Sequence, residues 1–290
     1  MFGVGVSPVS DRDLTISFEV EPECCIIHNN LFCIYEGCMG SFKISIKNLV
    51  IAITLMAIFF AAGYGLVNDK AKENVPLTRE ELLKESPSFE AINKIDPVKA
   101  EELYKIYSST ATYKDEKTKN EVFSKFVMEI RVWFNSNLGN LLGSASDAAV
   151  NDFGQHNLNV FNVMLDSDPS GVHCFNVLYP GVLGNIEASR LEENFKKLAL
   201  KVNYLNSIAD SIAQEVKVDR LPVEQVEEAL SIINNKLFEK YGVDYYIEDP
   251  KELAKQPALE CKSRRDFYKQ VMELDPHFSA EVIRYINTVK

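Results

Sequence analysis

The residues able to do chemistry in this chain are few and widely spaced. Two cysteines, Cys174 and Cys261, lie in segments with helical patterning. An even pair of thiols, in a part of the chain read below as extracytoplasmic, is the setting in which a disulfide forms and persists. Such a bond would tie the HCFNVLYP segment to ECKSRRDFYKQV, and closing so long a loop is worth about 4–5 kcal/mol in a chain-entropy account. Two separate buried thiols are the alternative. Nothing places a histidine base beside either cysteine, so neither is expected to be a catalytic nucleophile.

Asp147, Asp152 and His156 stand five and then four residues apart. With Asp166 across a turn they could offer oxygen and nitrogen ligands to a metal. A solvated polar face explains them better, and no metal is expected. Lys262, Arg264 and Arg265 form the basic cluster of the chain beyond its apolar run. They are a candidate contact for an acidic partner or for headgroups, set against the plainer reading of an exposed helix side whose core face carries Phe267 and Val271. Gly143-Ser144-Ala145-Ser146 lacks the second glycine of a nucleophile elbow, and no Walker loop, dinucleotide glycine pattern or HExxH helix is present. No reaction follows from these residues, and no cofactor is expected.

The elements that carry them are clearer. From Leu49 to Val67 the sequence reads LVIAITLMAIFFAAGYGLV, without a charge. At 1.5 Å per residue such a helix covers roughly 28 Å, close to the hydrocarbon thickness of a bilayer. Lys43 and Lys47 precede it, and Asp69, Lys70, Lys72 and Glu73 follow. Lysine counts on the two sides are too similar for the positive-inside rule to decide the orientation. The form of MGSFKISIKN before the apolar run, residues 39–48, is that of the basic region of a signal or signal anchor. The amino-terminal side is therefore expected in the cytoplasm and the chain beyond residue 68 outside it. Ala61-Ala62-Gly63 has the small-residue form of a cleavage site, but the apolar run continues past it, which favours an uncleaved anchor.

Residues 1–38 differ from the rest. They hold Cys24, Cys25, Cys33 and Cys38, six acids and the single base Arg12. A metal knuckle with His28 is disfavoured because adjacent Cys24 and Cys25 cannot both turn toward one ion. Met39 as the true initiator, or a disordered tail, fits better.

Beyond a juxtamembrane linker at 68–77 the pattern is helical throughout residues 78–290. Thr78-Arg79-Glu80-Glu81 is a capping box, and Asp96-Pro97 pairs an N-cap with proline at the first helical position. A helix is expected from Lys117 to Leu142, broken by Gly143-Ser144, with one or two short helices from Ser146 to Leu165. Leu191, Phe195, Leu198, Val202, Leu205, Ile208 and Ile212 recur at spacings of three and four. That stripe describes a bundle core and, less readily, a homo-oligomer seam. A helix opens at Leu221-Pro222 and closes at Gly242, and three more begin at Pro250, Ala258 and Pro276. Ile92 to Tyr107 and Val271 to Ile286 both read as helix, Asp-Pro, helix, which recurrent capping explains without a solenoid repeat.

The fold class expected is all-α: one amino-terminal transmembrane helix, then a multi-helix globular bundle of eight to ten helices. Lys and Arg number 31 against 42 Asp and Glu, a net charge of −11. That balance argues against a nucleic-acid ligand, which needs a basic stripe to displace counterions. The whole reads as a bacterial-type, single-pass, periplasmic protein held to the bilayer through 49–67, with a binding, scaffolding or assembly role and a protein partner in the envelope. The alternative is an envelope-acting hydrolase or transferase with a dispersed active site, which a pocket gathering Asp147, Asp152, His156 or His173 would favour.

Overall fold

The computed structural model describes residues 76–179, 181–183, 204–242, 245, 247 and 249–288. These residues form eleven α-helices and a 3₁₀ turn, with no strand among them. In chain order the helices are α1 (Arg79–Glu85), α2 (Pro87–Ile95), α3 (Pro97–Ser108), α4 (Glu116–Ser144), α5 (Asp147–Ser167), α6 (Val172–Leu178), α7 (Tyr204–Ala213), α8 (Val223–Tyr241), α9 (Pro250–Leu253), α10 (Pro257–Met272) and α11 (Pro276–Thr288). Among the described residues no helix is long and apolar enough to cross a membrane. The apolar run at 49–67, residues 1–38 and 39–48, most of the linker, and Leu191, Phe195, Leu198 and Val202 of the stripe lie outside the described residues.

Local chemistry starts the helices. Thr78 accepts from the amide of Glu81 while the Glu81 carboxylate accepts from the amide of Thr78, so the two satisfy amides that the helix itself leaves orphaned. Ser86 and Asp96 cap α2 and α3 by accepting from the amides of Phe89 and Lys99, each followed by proline. Asp115 caps α4 and Ser146 caps α5.

Packing sets how far the helices run. α4 does not stop at Gly143 but continues through Ser144, with Ala145 extended beyond it. A glycine inside a helix costs about 1 kcal/mol relative to alanine. Here buried Leu141 and Leu142 lie just ahead of it, and the Leu142 and Ala145 carbonyls are taken up by Arg284. α5 is a single helix of 21 residues rather than two short ones. It is the hub of the bundle, flanked by α6, α7, α10 and α11. Gly154 sits at the tightest point: a Cβ there would fall 2.4 Å from Ile283 Cδ1 and 2.8 Å from Met272 Sδ. Leu205 and Ile208 of the stripe are buried on α7, and Ile212 packs against the same core. α7 meets α2, α5 and α4.

Cys174 on α6 and Cys261 on α10 are joined by a disulfide, both fully buried, with Cα atoms 6.1 Å apart. α6 is entered through Gly171, which has φ of +73°. A Cβ there would meet Ala258 Cα at 2.5 Å and Ala258 N at 2.7 Å, backbone atoms that cannot swing away. Gly171→Ala therefore adds left-handed strain to a clash between the two cross-linked helices. It should lower unfolding stability by about 2–4 kcal/mol, read as a shift in urea midpoint. An unchanged midpoint would mean that the α6–α10 approach is looser than described.

Candidate anion-binding groove

α8 and α10 lie side by side and antiparallel. Near one end Lys240 Nζ and the Tyr241 hydroxyl donate to Asp266 Oδ2 at 2.5 and 2.6 Å. Further along, Lys236 Nζ donates to Gln270 Oε1 at 3.3 Å. Between the two helices, over Leu158 and Asn162 of α5, runs a cleft of about 540 Å³. Volumes of this order hold small-molecule ligands.

Its lining is electrically one-sided. Lys236 and Lys240 are four residues apart on α8, and Arg265 and Lys269 four apart on α10, so each helix turns two cations to the same cleft. Asp266 is the sole acid in the described lining. Burial alone would push its carboxyl up, but hydrogen bonds from Lys240, Tyr241 and Arg265 hold it below the usual carboxylate range. Burial, together with the same carboxylate, pushes the Tyr241 phenol up. Lys269 has Glu273 only at 4.0 Å, across exposed surface where such a pair contributes little.

The other candidates from the sequence have different fates. Lys262, Arg264 and Arg265 do not share a face. A helix turns 100° per residue, so positions 262 and 264 point about 200° apart. Lys262 is exposed. Arg264 is 4% exposed, and its Nε and Nη2 both donate to Glu260 Oε1 at 2.9 Å; the Tyr179 hydroxyl donates to the same oxygen at 2.8 Å. Arg265 donates to Asp266 and belongs to the groove.

Asp147, Asp152 and His156 are likewise dispersed. The Asp147 carboxylate bridges His277 Nδ1 and Arg284 Nη1, each at 2.6 Å. Asp152 and Asp166 are exposed. His156 is buried with its ring 4.6 Å from that of Tyr204, and burial pushes its imidazole down to about 3. His173 lies beside Asp168, whose carboxylate accepts its backbone amide at 2.8 Å. Among the described residues no three His, Cys, Asp or Glu side chains are grouped to hold a metal ion.

Two features escaped sequence reading. One is the groove, whose signal was a pair of like-charged i, i+4 lysines on α8, Lys236 and Lys240, matched by Arg265 and Lys269 on α10. The other is Arg284, fully buried, which donates to Glu281 Oε1 and Asp147 Oδ1 and to the Leu142 and Ala145 carbonyls. Arg220 donates in turn to the other Glu281 oxygen at 2.8 Å. The signal was an Arg among apolar neighbours, three residues after a Glu. Comparison with protein-family models, curated proteins and solved structures returns no match to this chain.

Proposed function

We propose that this chain is a membrane-tethered binding protein, with its helical domain outside the cytoplasm and the α8–α10 groove as the receiving surface. The observation that carries the compartment is the buried Cys174–Cys261 disulfide, a bond that persists in oxidising surroundings, in a chain that also holds the uncharged run 49–67. Binding is favoured over catalysis because the ionisable groups a hydrolase or transferase would gather are dispersed, with Asp152 on exposed surface and the others serving the fold. Asp147 serves Arg284, His156 packs on Tyr204, and Asp168 holds the turn before α6. A protein partner in the envelope fits the same reading, and so does a self-associating one.

The test is topological. Ser136→Cys on the exposed side of α4 gives a label site on a helix other than the two the disulfide joins. In intact cells making the full chain it should react with a membrane-impermeant maleimide. Cys174 and Cys261 should alkylate, after denaturation, only once reduced. Labelling of position 136 only after permeabilisation, with Cys174 and Cys261 free, would place the domain in the cytosol and end the proposal.

A further inference from the structure

We infer that the α8–α10 groove takes a multiply charged phosphoryl oxyanion; this names the ligand class of the binding site proposed above and rests on that reading. The argument is electrostatic. Like charges at i, i+4 destabilise a helix by tenths of a kcal/mol. Here two such pairs face each other across a cleft whose described lining holds one carboxylate, and that carboxylate is already shared by Lys240, Tyr241 and Arg265. A singly charged ligand would leave most of that positive charge uncompensated. The whole chain carries −11, so distant charges repel an anion and only a concentrated local set can hold one. A phosphomonoester or a diphosphate brings more than one negative charge and several acceptor oxygens in one small volume, the complement of two facing pairs of cations of which Arg265 and Lys240 are partly held by Asp266 and Lys236 and Lys269 are not. Two amide side chains, Asn162 and Gln270, also line the cleft, the oxygen of the second accepting from Lys236. The phosphoryl group could belong to a soluble compound or to a lipid headgroup.

The experiment uses the full chain in nanodiscs of zwitterionic phosphatidylcholine, titrated calorimetrically with inorganic pyrophosphate. Binding is expected to weaken as salt is raised. The double variant Lys236→Gln/Lys269→Gln should raise the dissociation constant at least about tenfold, since two charge-assisted contacts are lost. Lys262→Gln, an exposed cation of the same helix outside the groove, should leave it within about twofold. Acylation footprinting of the unsubstituted chain needs no variant to fold: pyrophosphate should protect Lys236 and Lys240 and not Lys262.

Repeating the footprinting without pyrophosphate in nanodiscs with phosphatidic acid, whose phosphomonoester headgroup carries more than one charge, separates the sources. Protection of Lys236 and Lys240 by those discs assigns the groove to a headgroup, and no protection by them assigns it to a soluble phosphate; both support the inference. No binding and no protection at millimolar pyrophosphate in the zwitterionic discs would overturn it, as would Lys262→Gln weakening binding as much as the double variant. Either failure leaves the topology experiment, and the tethered-domain reading, untouched.

Discussion

Replacing Arg284 by methionine should lower the free energy of unfolding by about 3–5 kcal/mol, the range found when one partner of a buried charge network is removed. The guanidinium is fully buried and holds together elements far apart in sequence. Its Nη1 reaches Asp147 and Glu281, both at 2.6 Å, while Nε and Nη2 close off the Leu142 and Ala145 carbonyls at the end of α4. Methionine fills similar space but leaves Glu281, which is 2% exposed, with Arg220 on one oxygen and Oε1 without its Arg284 donor, and leaves two helix-terminal carbonyls without the guanidinium. Arg284→Lys should recover little, because a single ammonium cannot reproduce a planar fork that serves four acceptors. Urea unfolding of both variants checks this. A loss below about 1 kcal/mol for Arg284→Met would show that water or rearrangement replaces the network.

Acid should unfold the domain earlier than its carboxylates alone would require, and His156 is the reason. Its imidazole is held neutral by burial, with the pKa pushed down from 6.5 to about 3. In the unfolded chain the ring takes a proton near pH 6.5. Between those values the unfolded state binds the extra proton, so stability is complete above about pH 6.5 and falls as pH drops, at up to about 1.4 kcal/mol per unit. Down to pH 4 that amounts to about 3 kcal/mol. Asp168 and Asp266 work lower in the scale: their folded pKa values are depressed, so what they contribute is present above the ordinary carboxylate range and is lost below it. His156→Phe, which keeps a ring against Tyr204, should therefore flatten the stability profile between pH 6.5 and 4 without altering the steeper loss beneath. Parallel profiles for the two proteins would mean that the ring is protonated in the folded state.

What could be read in advance followed the range of the interactions. Thr78, Asp96 and the Pro250 and Pro276 starts were legible because a cap is settled within four residues. The disulfide was legible because two cysteines beyond the apolar run leave a single pairing. Arg264 was not: nothing at positions 262–265 says which cation turns inward, and the decision belongs to Glu260 and to Tyr179, eighty-one residues away from it. Whether Ser146 to Leu165 forms one helix or two is open in the sequence alone for a related reason: Gly154 packs where Met272 and Ile283 approach, which only the assembled bundle supplies. The groove needed the antiparallel register of α8 and α10 before two modest lysine pairs became one cationic cleft.

The position of α5 has a consequence for a chain made from one end to the other. Much of the surface that covers α5 comes from α10 and α11, with contacts more than a hundred residues apart in sequence: Tyr268 stacks on Phe161, Ile283 and Met272 press on Gly154, and Arg284 seals the junction of α4 and α5. While residues up to about 241 are emerging, the apolar side of α5 has none of these partners, and contacts of such long sequence separation are slow to form. During that interval the nascent segment is a substrate for holdase chaperones and for proteases, and delivery of the last two helices sets the moment at which it ceases to be one.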